Sequence, residues 1–398
     1  MSPPQTMDRG TQPVEGTVEE VVEGTAEAAL GLPRDPTWAV EWDALVARHP
    51  WLEAMRGCPQ DPVFHAEGDV LVHTGMVCEA MASLSGFRRG DPRRRLRLWA
   101  AALLHDVAKP RCTVVEDDGR VRSPGHSPGG ALDARVILWR LGVPPPVREA
   151  ICGLIRFHQV PYHWASRSDS QRLVIRMSQT TVLRELVWLA EADLRGRVCP
   201  DRDERIEDAR LLAEYAAELH CLDAPWAFAN DHARVEYFRR PDRDPTWAAH
   251  DDTRFGVTVM SGLPGSGKST WVAEHASDGP VIELDAIRRE LGVSPRDDQG
   301  QVIDLARSRA RELLRRAQPF CWDATNLGRT LRKSVVGLCL DYGARVRLVH
   351  VEAPASELGA RNRNRADPVP EGVLGRMLRR WEPPDPTEAH EVLLVPNP

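Results

Sequence analysis

Two groups of residues in this chain are spaced for phosphate chemistry, and they lie in different halves. In the C-terminal half the stretch GLPGSGKST runs from Gly262 to Thr270. It follows a short apolar run, GVTVM, and precedes a helical pattern, the context that a Gly-x-x-x-x-Gly-Lys-Ser phosphate loop requires. The loop runs from Gly262 through Pro264, which has no N–H, and the backbone N–H groups of Gly265, Ser266 and Gly267 with a helix N-terminus can cradle the β- and γ-phosphates. Lys268 can follow charge onto the γ-phosphate, and the hydroxyl of Ser269, beside Thr270, can ligate Mg²⁺. The motif specifies a nucleoside triphosphate donor and is silent about the acceptor.

Acceptor chemistry is suggested further along. VIELDAIRRE ends a second β run, and Asp285 is expected at the C-terminal end of that strand, next to the phosphate loop of a parallel sheet. A carboxylate there can take the proton of an attacking hydroxyl; a helix N-cap is the alternative. Arg288 lies one helical turn on and can grip a phosphate bidentately. WDATN ends a third β run, placing Asp323 near the metal with Thr325 and Asn326 in the following loop. Arg361, Arg363 and Arg365 crowd into RNRNR. Alone, such a run reads as a solvated face; after a phosphate loop it reads as a mobile lid that closes positive charge over ATP.

The N-terminal half carries the second group. LLHDVAKP ends an apolar helix pattern in His105-Asp106. Upstream are His65 and His73; downstream are His126, His158 and Asp193, each at or near the end of an apolar helix pattern. Imidazoles with carboxylates suit a transition-metal site that activates water. Lys109 can meet a substrate phosphate or leaving group, or be an ordinary surface lysine. His65 is second-layer or structural. His163, His220 and His232 fall in no pattern.

The elements that must position these residues are of two kinds. From Trp38 to about residue 237 one 3.6-period pattern follows another with no convincing strand. From residue 255 short β runs alternate with helices, which implies a parallel sheet with helices on both faces. The expected organisation is a disordered acidic tail (1–35), an all-α domain (36–238), a polar, proline-containing linker (239–254) and an α/β domain (255–398). Net charge is −6 and neither domain is strongly basic, so charge gives no argument for extended duplex binding. No run of 18 apolar residues and no secretory leader is present, and eight scattered cysteines read as reduced thiols in a cytoplasm. Of 52 basic residues only Lys109, Lys268 and Lys333 are lysines, a hint that two of them are kept for a compact ammonium.

The series GLPGSGKST…LDAIR…WDATN…RNRNR…VPEGVLGRM…WEPP…EAHEV resembles the kinase module of bacterial and phage polynucleotide kinases. The resemblance implies that Lys268 and Ser269 bind ATP and Mg²⁺ and that Asp285 is the general base. It implies that Arg288 holds the phosphate next to the acceptor nucleotide and that one or more of Arg361, Arg363 and Arg365 grips ATP. The order H…HD…H…H…D resembles the HD-domain metal phosphohydrolases, and HAEGDVLVHT…LLHDVAKP…GHSPGGA is similar to the HD module of some bacterial tRNA nucleotidyltransferases. That likeness implies one metal on His73, His105, Asp106 and Asp193 and a second on His126 and His158. With only the acidic tail ahead of the HD pattern, a CCA-adding enzyme is not expected.

Together the halves resemble the bifunctional HD-domain and polynucleotide kinase fusion family, which heals nucleic-acid ends. The expected HD activity removes 2′,3′-cyclic, 2′- or 3′-phosphates with a transition metal such as Mn²⁺, Ni²⁺ or Co²⁺. The expected kinase activity phosphorylates 5′-hydroxyl ends of RNA or DNA, with a separate ligase as partner and no membrane. An HD nucleotidase fused to a small-molecule kinase is one alternative; an ATP-binding module that gates a hydrolase is another.

Overall fold

The computed structural model describes residues 18–275, 279–294, 296–365 and 367–397, with backbone only at 18–23. From Val18 to Arg239 the chain is helical apart from one small hairpin, β1 (Val114–Val115) with β2 (Val121–Arg122). No strand was expected there. Two-residue strands are too short to show an alternating pattern, and a turn with Gly119 at φ +83° joins them.

The expected disorder of residues 1–35 needs correction. Val18–Ala29 is a helix, and Ala26, Leu30 and Leu32 are buried in the helical core. The Trp99 indole N–H donates to the Leu30 carbonyl at 2.8 Å. A few apolar side chains suffice once a large aromatic partner fixes the backbone behind them. The expectation for residues 1–17 lies outside the described residues.

The helices begin where their capping residues dictate. Asp69 accepts from the Val72 N–H ahead of Val70–Ser83, and Asp91 accepts from the Arg94 N–H ahead of Pro92–Leu104. Leu96, Leu98, Trp99, Leu103 and Leu104 of the second helix are all buried, so it runs through the centre of the bundle rather than over its surface.

Residues 255–396 form a five-stranded parallel sheet flanked by helices. Its strands are β3 (Phe255–Ser261), β4 (Val281–Glu283), β5 (Phe320–Asp323), β6 (Ala344–Glu352) and β7 (Glu391–Pro396), in the order β4-β5-β3-β6-β7. Two sequence expectations change. EVLLVP is a fifth strand, and β4 is the sheet edge, so β5 rather than β4 lies beside the phosphate-loop strand.

The two halves share a buried apolar seam of Trp139, Leu263, Leu327, Ala353, Leu358 and Trp381. Within it Arg148 meets Glu352 through two charge-assisted hydrogen bonds of 2.5 and 2.6 Å, and its guanidinium lies 4.8 Å over the Trp381 ring. Arg135 donates to the Trp381 carbonyl and the Trp139 indole to the Ala353 carbonyl, both at 3.0 Å.

Removing one member of a buried pair strands the other charge, at a cost of about 3–5 kcal/mol. Arg148→Ala is therefore expected to lower stability by that order in denaturant unfolding. The double change Arg148→Met with Glu352→Leu is expected to recover most of the loss.

Candidate functional site

The helical half brings its six predicted residues together by using helix ends. His73 lies in the first turn of Val70–Ser83, and His105 caps the C-terminus of Pro92–Leu104 with Asp106 next to it. His126 is the first residue of His126–Arg140, after Gly125 at φ +74°. His158 caps the C-terminus of Pro145–Phe157, and Asp193 lies in the last turn of Leu183–Arg195. All six are buried.

Backbone carbonyls set the imidazole tautomers. The Nδ1 atoms of His105, His126 and His158 lie 2.7–2.8 Å from the carbonyls of Ala102, Ser123 and Ile155. A carbonyl only accepts, so each Nδ1 carries a proton, and in the neutral ring each Nε2 then presents a lone pair. His73 follows the same rule: its Nδ1 faces Glu67 Oε1 at 2.9 Å and the Gly196 carbonyl at 3.3 Å.

The Nε2 atoms converge on Asp106. His105 Nε2 is 3.2 Å and His73 Nε2 3.8 Å from Asp106 Oδ2; His126 and His158 Nε2 are 3.4 and 3.9 Å from Oδ1. Asp193 Oδ1 is 3.1 Å from His73 Nε2, and the Nε2 atoms of His73 and His105 are 3.3 Å apart. Asp106 Oδ1 is buried without a hydrogen-bond partner. Lone pairs facing one another at such distances repel unless a cation lies among them. The donors could hold a metal ion: His73, His105 and Asp106 form one group, with Asp193 Oδ1 beside His73, and Asp106, His126 and His158 form another.

The charges around the cluster are consistent with this. Burial alone would raise the Asp106 pKa, but Lys109 and His105 hold it well below the usual carboxylate range. Burial depresses His158 to about 3, keeping it neutral. Lys109, expected either at the substrate or on the surface, is buried, with Nζ 2.7 Å from Asp106 Oδ2 and donating to Gln60 Oε1 at 2.8 Å.

Several supporting residues were missed in the sequence. Glu67 bridges His65 and His73 through Oε1, at 2.8 and 2.9 Å, which gives His65 its place. Arg197 donates twice to Asp193, and the Tyr162 hydroxyl donates to Asp193 Oδ2. The Asp193–Arg197 spacing of one helical turn was a visible signal; Tyr162 had none.

In the sheet half, the phosphate loop leaves the end of β3. Lys268 is buried, and its ammonium donates to the Gly262 and Leu263 carbonyls, each at 3.0 Å; burial lowers its pKa to about 8. Ser269 and Thr270 are exposed. Asp323 is buried beside the loop, and burial raises its carboxyl. The Thr325 carbonyl accepts from the Gly262 N–H, while the Asn326 side chain donates to the Met260 carbonyl, so both brace the loop.

Asp285 stands in the first turn of Leu284–Leu291, whose N-cap is Glu283, so it is not the cap. Its Oδ1 accepts from Arg288, and its Oδ2 is 3.8 Å from Arg365 Nη2; Arg288 also donates to Gln299. The three arginines separate. Arg365 turns toward Asp285, Arg363 is exposed, and Arg361 turns away to Glu357 and the Asn397 carbonyl.

Residues 257–384 match a family described as an AAA domain. The C-terminal half is a parallel α/β domain that carries the phosphate loop. Among solved structures, a sugar kinase from Janibacter sp. HTCC2649 is 23% identical, covering 36% of this chain and 88% of that one with a TM-score of 0.28. A gluconokinase from Sinorhizobium meliloti 1021 is 25% identical, covering 36% and 86% with a TM-score of 0.27. Among curated proteins, the bifunctional uridylyltransferase/uridylyl-removing enzyme of Thiobacillus denitrificans is 28% identical over 226 residues, 46% of this chain. The chain spans a quarter of that relative's length. Among the described residues no helix is long and apolar enough to cross a membrane.

The donor arrangement gives a direct test. Glu67→Gln keeps the six residues of the His/Asp cluster but weakens the partner of His73 Nδ1. It is expected to lower Mn²⁺ affinity about 10–100-fold, measured by calorimetric titration of metal-stripped protein.

Proposed function

We propose that this chain heals nucleic-acid ends at two sites, a metal-dependent phosphoesterase in the helical half and a polynucleotide 5′-hydroxyl kinase on the P-loop. The reading is carried by one combination: a converging His/Asp donor set shares a chain with a phosphate loop faced by Asp285, Arg288 and Arg365. The motif resemblance to polynucleotide kinases and HD phosphohydrolases supports it.

In the kinase site the loop amides hold the β- and γ-phosphates, and Ser269 supplies a hydroxyl for Mg²⁺. Lys268 leaves the Gly262 and Leu263 carbonyls and follows the γ-phosphate. Asp285 accepts the proton of the 5′-hydroxyl as the new O–P bond forms and the bond to the departing ADP breaks. Arg288 exchanges Asp285 for the phosphate next to the acceptor nucleotide, and Arg365 closes over the γ-phosphate.

In the helical site one or two transition-metal ions, when bound, supply an activated water and draw charge from the phosphate. His73, His105, Asp106 and Asp193 would hold one, and His126 and His158 would supply ligands for a second. Lys109 stands at the edge of the cluster, where its ammonium meets the phosphate or the departing ribose oxygen. The product ends, a free 2′,3′-diol and a 5′-phosphate, suit a separate ligase acting on RNA or DNA.

The two activities should separate by mutation. Asp285→Ala is expected to lower phosphorylation of a 5′-hydroxyl oligonucleotide by about 10²–10⁴-fold and leave hydrolysis of a 2′,3′-cyclic phosphate intact. His105→Ala with Asp106→Ala should do the reverse. Both activities lost in each folded variant would contradict the two-site reading. Nucleosides phosphorylated in preference to the oligonucleotide would shift the acceptor to small molecules.

A further inference from the structure

Asn397 belongs to no motif, yet the fold sets it on the phosphate loop. Strand β7 runs beside β6 with Pro396 opposite Glu352, and this carries Asn397 past the end of the sheet. Three of its polar groups are engaged there. Its backbone N–H donates to the Glu352 carbonyl at 2.7 Å, its side-chain amide donates to the Ser266 carbonyl at 2.9 Å, and its backbone carbonyl accepts from Arg361 at 3.1 Å.

The fit is close. Gly267 has φ +97°, and a Cβ placed on it would lie 1.9 Å from the Asn397 amide nitrogen. Glycine at 267 thus serves both a left-handed backbone and the room that Asn397 occupies.

The Ser266 carbonyl and the Gly267 N–H belong to one planar trans peptide, so they point in opposite directions. In a phosphate cradle the N–H groups face the ligand. Anchoring the Ser266 oxygen from outside therefore aims the Gly267 N–H inward. We propose that Asn397 is a positioning residue for the nucleotide site, acting through the 266–267 peptide, with Arg361 as its anchor rather than as part of the lid. The proposal rests on the reading that this loop binds a nucleoside triphosphate.

The test is calorimetric titration of the full chain with MgATP, together with thermal unfolding. Asn397→Ala is expected to weaken MgATP binding about fivefold to tenfold, equivalent to about 1–1.4 kcal/mol. Asn397→Asp keeps the volume, removes the donor and sets a carboxylate against the Ser266 carbonyl, so it should weaken binding more. In kinase assays the ATP KM should rise while the KM for the 5′-hydroxyl acceptor stays unchanged, a split that a general loss of stability would not produce. If both variants bind MgATP as tightly as the unaltered chain, Asn397 has no positioning role and the nucleotide reading stands. If the unaltered chain itself fails to bind MgATP, both the nucleotide reading and the role of Asn397 fall.

Discussion

The buried pairing of Arg148 with Glu352 fixes the two halves in one frame. Burial pushes Glu352 toward its neutral form, and the guanidinium against it works in the opposite direction. Neither partner can be solvated while the seam stays closed, so the pair and the seam stand or fall together. The same two residues reach toward both sites. Arg148 lies in the first turn of the helix that ends at His158, and the neighbouring helix runs from His126 to Arg135 and Trp139 in the seam. On the other side the Glu352 carbonyl receives Asn397, which holds Ser266. The candidate ligands His126 and His158 and the phosphate loop are thus built outward from opposite faces of one joint.

In the helical half, helix termini solve two problems at once. The last carbonyls of a helix lack intrahelical donors. His105 and His158, standing at C-caps, give their Nδ1–H groups to carbonyls three residues back. Each bond satisfies an orphan carbonyl and directs the Nε2 lone pair away from the helix into the shared space. Asp106 then lies among those Nε2 atoms, with Lys109 offsetting part of its charge. The cluster is set by backbone geometry, so little rearrangement is needed to hold a cation.

Much of this was legible in the sequence, for physical reasons. The phosphate-loop motif is local and fixes its own turn. His105-Asp106 and the outlying histidines were marked by lying where apolar helix patterns stop. The failures have a common cause: they depend on contacts far apart in the chain. Glu67 is fixed only when the Val198 N–H donates to it, and Leu30 only when the Trp99 indole does. Arg361, Arg363 and Arg365 are indistinguishable as a string. They separate because Arg361 and Arg363 belong to the helix Ala355–Arg363 and Arg365 lies beyond its end, free to turn toward Asp285. Strand β7 was hidden because EVLLVP is short and its partner β6 lies across a helical excursion.

The two sites differ in how their charged groups are held. The His/Asp cluster is committed: its tautomers are fixed by carbonyls, and its carboxylates are held by Lys109, Arg197 and Tyr162. The P-loop site instead satisfies its reactive groups on one another. Lys268 donates to its own loop, and Asp285 is matched by Arg288. On the proposed reading, those partners are exchanged for phosphate and hydroxyl before phosphoryl transfer. A bound triphosphate would offer Lys268 a stronger acceptor than a carbonyl, and an acceptor phosphate would offer Arg288 a charged oxygen in place of Asp285 Oδ1. Such an exchange would keep the buried Lys268 ammonium paired, while Asp285 itself is exposed. Only the loop backbone, clamped at Thr325 on one side and Asn397 on the other, need stay still.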